Sequence, residues 1–569
     1  MASTNTTTAT LTGESNITAM AGPNNSTETA PPHPFHFSML MKPEFLLVEA
    51  QVIFSALSII WLGAHASLRR PPSAAHPKPK NGKKKAKDVQ FAEGFTASDV
   101  IMIPVMASAV LVGLYYALEW LKDPDILNRI LRVYLSTMSI ASLGAATGHA
   151  LDILTSLVFP GLWVDRKGTL FRVDPDHQRQ MKVAEGGVET EVVEIKTPFP
   201  SFLSTLPLSP GKIQAAWEIR NLLTEEWTVR LAAHGLGLAE FNVKLNTLLG
   251  FLVAIAATIA YNTTKWFFLP NLLASAVCYE SFSLMSPTSF SIGSSIMAAL
   301  FFYDIIMVFY TPYMITVAKK IDAPIKLVFN TARGVSMLGL GDIVIPGILM
   351  AMALRFDLHQ FYLKQTKQEP ISLESEFATR TAGETITFSE TQYRRIKPTY
   401  VNTEGQWGNR FWTTRLGSFY PVSMAESVRA ATAFPKPYFY ASVFGYFAGM
   451  VATLTMLVVF KHGQPALLYL VPGVTGSLWL TALVRGELKE MYGYTEDGSM
   501  DVEDVVVEVD STGNTIDVAK TEEKGETDED RASKRPVAEK VEKKERNDGD
   551  YDVFLFAITA PRRKAPKRD

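Results

Sequence analysis

Residues 337–354 read MLGLGDIVIPGILMAMAL. The stretch is long enough to cross a bilayer, which takes about 20 apolar residues. Its one charge, Asp342, follows two glycines, Gly339 and Gly341. A carboxylate near the centre of a spanning helix costs roughly 2.5–3.5 kcal/mol on insertion scales, so it faces a bundle interior or a wet cavity. The stretch therefore sets both the class of fold and the place to look for chemistry.

Working outward, runs of the same kind lie near 45–68, 98–120, 130–159, 241–261, 265–285, 289–317, 335–355, 436–460 and 464–485. They predict an all-α polytopic membrane protein with nine transmembrane helices, because a helix satisfies its own backbone where no water can. Hydrophobic residues are 47% of the 569, yet formal net charge is only −2. Such a balance gives no electrostatic footprint for nucleic acid. The single cysteine, Cys278, excludes an internal disulfide and a cysteine-ligated zinc site, and reads as a buried inert thiol.

The polar segments orient the spans. RRPPSAAHPKPKNGKKKAK (69–87) is strongly basic and belongs in the cytosol by the positive-inside rule. The N-terminus is then lumenal and, after nine spans, the C-terminus cytosolic. N-x-S/T triplets starting at Asn5, Asn16, Asn24 and Asn25 agree with a glycosylating lumen. The first forty residues have no apolar core of a cleavable signal peptide. One loop conflicts: AKKIDAPIKLVFNTAR (318–333) would be lumenal, yet carries Lys319, Lys320, Lys326 and Arg333. The chain divides into a lumenal tail (1–44), a three-span region with cytosolic loops (45–240), a six-helix region that holds Asp342 (241–486) with a cytosolic insertion (356–435), and a tail (487–569) of disordered composition. VFLFAIT (553–559) is an apolar patch near its end.

A second intramembrane carboxylate, Asp304, sits in FFYDIIMVFYTPYMITVA (301–318), the run before that of Asp342. Consecutive antiparallel helices are natural neighbours. Two carboxylates a few Å apart cannot both ionise and share one proton. One then activates water as general base while the other polarises a carbonyl, which suffices to hydrolyse a peptide bond with no cofactor or metal. The two glycines permit close backbone approach at Asp342, and Tyr303 offers a hydroxyl beside Asp304. Pro465 opens the last run, KHGQPALLYLVPG (461–473), with an irregular or delayed helix start, although an ordinary start would read the same. No HExxH, no rhomboid-type GxSG and no histidine cluster supports another protease chemistry. Glu49, Glu119, His149 and Asp152 read as structural or interfacial groups.

In order, YD, GLGD and QPAL resemble the signal peptide peptidase branch of the GxGD intramembrane aspartic proteases, the superfamily that includes presenilin. FNVKLNTLLGFLVA (241–254), DAPIKLVF (322–329), LRFD (354–357) and QPALLYLVPG (464–473) strengthen the likeness. The resemblance implies that Asp304 and Asp342 are catalytic and that Pro465, Ala466 and Leu467 shape the active site and hold substrate; Tyr303, Gly339, Leu340 and Gly341 are further candidates for shaping the site or binding substrate. It implies cleavage of type II transmembrane segments, chiefly remnant signal peptides, in the endoplasmic reticulum membrane. A homo-oligomer or degradation-pathway partners are compatible with it. The long loops and tail point to a fungal-type member, and the final KAPKRD has one lysine where dilysine retrieval signals carry two. Two other readings use the same carboxylates or none: a transporter or channel with paired membrane aspartates, and a non-proteolytic escort of membrane proteins. A presenilin-like subunit needing accessory proteins is a third, and QPALLYLVPG with a lumenal N-terminus favours an enzyme that works alone.

Overall fold

The computed structural model describes residues 43–75, 93–121, 124–165, 169–175, 177–183, 189–193, 197–205, 207–233, 237–264, 266–321, 323–331, 334–378, 385–400, 407–413, 434–460, 464–500, 506–508 and 554–559. The triplets at Asn5, Asn16, Asn24 and Asn25 lie outside the described residues.

The body is helical. In chain order the helices are α1 (Pro43–Ala66), α2 (Asp99–Trp120), α3 (Pro124–Val158), α4 (Pro210–Thr224), α5 (Leu245–Thr263), α6 (Leu269–Leu284), α7 (Phe290–Ile305), α8 (Tyr313–Lys320), α9 (Gly341–Leu363), α10 (Trp407–Thr413), α11 (Pro437–Phe460), α12 (Leu467–Arg485) and α13 (Leu488–Gly493). Among the described residues, seven helices are long and apolar enough to cross a membrane: α1, α2, α3, α5, α7 with the turn after it, α11 and α12. The other two of the nine apolar runs form α6 and α9. Helix α6 has 16 residues, about 24 Å at 1.5 Å per residue, short of a hydrocarbon core of about 30 Å. Helix α9 has 23 residues and is buried on almost every side from Ile343 to Tyr362.

That burial makes α9 the hub. Helices α1, α6, α7, α11 and α12 pack around it, and Leu349, Met350, Ala351, Met352, Ala353 and Leu354 are all at or below 1% exposure. The placement explains how one helix carries Asp342, Arg355 and Asp357, each costly against lipid. Arg355 donates to Glu496 Oε1 (2.8 Å), Ser67 Oγ (2.9 Å) and Ser286 Oγ (2.7 Å). Asp357 accepts the Tyr438 and Phe439 amides, at 3.2 and 2.9 Å, which have no intrahelical partner at the start of α11. Outside this core, α3 packs on α5 and α6, and α2 on α7 and α8.

The sequence predicts an all-α chain; here the structure differs in the polar segments. Strands β2 (Leu162–Val164), β3 (Leu170–Asp174), β4 (Arg179–Val183) and β5 (Glu189–Val193) form an antiparallel sheet in the 160–240 loop. Strands β11 (Lys367–Ala378) and β12 (Thr385–Ile396) pair in the 356–435 insertion and take up β13 (Val506–Glu508) from the tail. Parts of these stretches alternate apolar and polar side chains, as in FRVD (171–174), a period of two that charge content conceals. The patch near the C-terminus forms β14 (Phe554–Thr559), which pairs with β6 (Glu226–Ala233), itself paired with β7 (Gly237–Lys244). Residues 487–500, read from composition as the start of the tail, hold α13 and the buried Tyr494.

Two further pairings concern the membrane region. β1 (Glu93–Phe95) lies parallel to β8 (Met285–Pro287). β9 (Lys326–Thr331) and β10 (Gly334–Gly339) form a hairpin in the basic segment between the Asp304 and Asp342 helices. One end of the bundle is tied by polar contacts: Ser73 Oγ donates to the His359 carbonyl (2.8 Å), Lys436 Nζ reaches His65 Nε2 (2.8 Å), and Arg69 pairs with Glu496. Lys244 and Asn246 at the start of α5 bind Asp152 near the end of α3, at 3.3 and 2.7 Å. The opposite end is tied by Asn128 to the Lys320 carbonyl (2.9 Å) and by Asn271 to Val328.

Candidate active site

Asp304 closes the last α-helical turn of α7, just before a π-helical turn, Ile306–Tyr310. Such turns widen a helix and recur at functional sites. The residue is 3% exposed. Its Oδ2 accepts the backbone N–H of Leu467 at 3.0 Å. That amide belongs to the first residue of α12, whose cap is Ala466 and whose start is delayed by the buried Pro465. First-turn amides have no partner inside a helix. Asp304 therefore takes one of them and also lies at the positive end of the helix dipole. The motif QPAL works here through its backbone: proline stops the helix and frees the amide, and the buried Leu467 side chain packs in the core beneath it.

Asp342 enters from the other side. Strand β10 ends at Gly339, Leu340 caps α9, and Asp342 lies in the first turn. The Leu340 amide donates to the Ile325 carbonyl (3.3 Å), which ties the cap to the base of the hairpin. A Cβ at Gly339 would come 3.3 Å from Asp342 Oδ2, so the missing side chain leaves room for the carboxyl to fold back over the strand end. At Gly341 a Cβ would only touch Ile345 at 3.9 Å, and nothing in the static structure requires glycine there. Tyr303, beside Asp304, is half-buried against the main core.

The two aspartates, 38 positions apart in sequence, are close enough to interact electrostatically. Asp304, Asp342, Gly339, Leu340, Pro465, Ala466 and Leu467 thus converge where α7, α9 and α12 meet. Sequence reasoning missed one further contact. Tyr446 of α11 donates its hydroxyl to the Asp342 carbonyl at 3.2 Å. Of the groups read as structural, Asp152 holds Lys244 and Asn246, and His149 meets the Tyr279 hydroxyl at 3.2 Å. Among the described residues, no three His, Cys, Asp or Glu side chains gather as a metal site would require.

The fold and this site define a multi-pass membrane protein with two acidic side chains near each other where three of its helices meet. The chain belongs to the signal peptide peptidase family, whose model matches residues 85–498. It is 26% identical over 488 residues to human signal peptide peptidase, covering 84% of this chain and 89% of that protein. It is 33% identical over 250 residues to a probable intramembrane protease of Schizosaccharomyces pombe, 43% of this chain and 63% of that one. It is 34% identical over 232 residues to intramembrane protease 2 of Caenorhabditis elegans, 39% of this chain and 37% of that one. No solved structure matches the chain at a significant level. The relatives' shared character makes this an intramembrane protease.

Proposed function

We propose that the protein is an aspartic endopeptidase that cleaves type II transmembrane segments, chiefly remnant signal peptides, in the endoplasmic reticulum membrane. Asp304 and Asp342 form the catalytic pair. The observation that carries the reading is their meeting at the end of α7 and the start of α9, with the first amide of α12 given to Asp304.

One carboxylate deprotonates a water as it attacks the scissile carbonyl, and the other, protonated, donates to that carbonyl's oxygen. The proton taken from water then passes from the first carboxyl to the leaving nitrogen as the C–N bond breaks, while the second carboxylate takes back its proton from the gem-diol hydroxyl as the new carboxyl group forms. The Leu467 amide keeps Asp304 in one rotamer, and the hairpin end keeps Asp342 opposite it. A helical substrate hides its carbonyls in its own hydrogen bonds, so it must first unwind. An extended segment needs an edge to pair with. The break at Pro465 is one such place. β10, which runs straight into Asp342, is a better one, since β9 is its only strand partner among the described residues.

Nine spans, with the N-terminus lumenal and the C-terminus cytosolic, complete the proposal. The tied ends support it. The ends of α1, α3, α6, α9 and α12 share one face with the starts of α2, α5, α7 and α11. Nine alternating crossings give that arrangement even though α6 is short. On this topology the hairpin is lumenal despite its basic charge, and glycans occupy the sequons of the N-terminal tail. Substrate and lipid are the partners the site requires.

The test is cleavage of a synthetic signal peptide by the purified full-length protein in detergent. Asp304→Ala and Asp342→Ala should each lower turnover to background with the melting temperature held. Turnover in either variant comparable to the unaltered protein overturns the assignment.

A further inference from the structure

We infer that Tyr446 is a positioning residue for Asp342, replacing a hydrogen bond that Pro346 removes from α9. The inference rests on the reading of Asp342 as catalytic.

In an α-helix the carbonyl of residue i accepts the amide of residue i+4. For Asp342 that residue is Pro346, which has no N–H to give. The helix continues through the proline, so the carbonyl of the aspartate itself loses its ordinary donor. Buried carbonyls are seldom left that way. The Tyr446 hydroxyl, from α11, reaches this same oxygen at 3.2 Å. Tyr446 is 0% exposed, and its hydroxyl needs a partner as much as the carbonyl does.

The tyrosine is itself held firmly. Its neighbour Gly445 lies where α11 crosses α12, and a Cβ there would come 2.2 Å from the Gly473 carbonyl oxygen. The two helices touch backbone to backbone, as small residues allow in membrane proteins. Helix α12 also supplies the Leu467 amide to Asp304. Both aspartates are therefore referenced to one α11–α12 unit, Asp304 through its carboxylate and Asp342 through its main chain. A proline four residues after the aspartate loosens that turn of α9, and Tyr446 restores a single position for it.

A buried tyrosine could instead serve packing alone, so the test separates the two roles. Tyr446→Phe keeps the ring and removes only the donor. Pro346→Ala returns an amide to the Asp342 carbonyl and makes the tyrosine hydroxyl redundant. In the full-length protein, Tyr446→Phe should lower kcat about tenfold with KM unchanged. In the Pro346→Ala background the same change should alter kcat by less than about twofold. Melting temperatures of the four proteins form a parallel cycle that needs no cleavage, and Tyr446→Phe should lower the midpoint only when Pro346 is present. A Tyr446→Phe protein with unaltered kcat, or an equal loss in both backgrounds, overturns the inference. If the unaltered protein cleaves nothing, the functional reading fails, and the melting cycle still decides whether the hydroxyl replaces the amide.

Discussion

Asp342 Oδ2 lies against the one glycine of GLGD whose missing side chain the structure uses. Gly339→Ala would place a methyl 3.3 Å from that oxygen, closer than ordinary van der Waals contact. The carboxyl must then turn, and small displacements of a reacting group are expensive. The expected result is a drop in kcat of roughly tenfold, read on the signal-peptide assay, with little change in melting temperature. Both carboxylates were legible at this scale, because charge inside an apolar run is costly and so conspicuous. Pro465 was legible as an irregular or delayed helix start. The amide it frees, and the carboxylate that takes it, were not: Leu467 and Asp304 are 163 positions apart, and no local pattern links them. Pro346 was a visible signal that the Asp342 carbonyl would need another donor, but only the packing of α11 names Tyr446.

The hairpin β9–β10 is the least expected element of the site. Its sequence reads as a basic loop, since Lys319, Lys320 and Lys326 precede the short apolar run LVF (327–329) and Arg333 follows it. Pairing appears only when both strands are considered together, from Lys326 opposite Gly339 to Thr331 opposite Gly334. The outer edge of β9 is closed by a side chain. Asn271 of α6 donates from Nδ2 to the Val328 carbonyl (2.7 Å) and accepts the Val328 amide at Oδ1 (2.8 Å), as a neighbouring strand would. Asn271→Ala should loosen the hairpin without unseating α6. Amide hydrogen exchange across 326–339 should rise, and kcat/KM for peptide cleavage should fall severalfold, each hydrogen bond contributing roughly 1 kcal/mol. Unchanged exchange would show that the hairpin holds itself.

At the scale of the whole molecule, the far end of α9 is anchored by a buried clasp. Glu496, its side chain 5% exposed, faces Arg355 of α9 and Arg69 beyond α1, and also takes Ser286 (2.6 Å) and Tyr494 (3.0 Å). Burial alone would push its carboxyl up; the two guanidiniums and these hydrogen bonds outweigh it and hold it at about 2. A carboxyl lowered on folding adds stability above its ordinary value of 4.5, and that stability is lost as pH falls toward 2. The difference corresponds to about 3 kcal/mol. Glu496→Gln should lower the melting temperature at pH 7. The gap from the unaltered protein should narrow as pH drops below 4.5.

The sequence by itself determined the class of molecule, most of the membrane helices and the two carboxylates. Each of these follows from a local penalty: apolar runs must leave water, and a charge among them must have a purpose. The irregular start at Pro465 and the glycine at 339 were partly legible, because each is a local property of its residue. Tertiary structure alone decided that α9 is the enclosed hub, that α6 is too short to span unaided, and that the polar loops carry sheets. It also chose the partners of the site, Leu467 for Asp304 and Tyr446 for Asp342. Those choices depend on which surfaces meet when distant segments pack, and a hydrogen bond between residues a hundred positions apart leaves no periodicity in either.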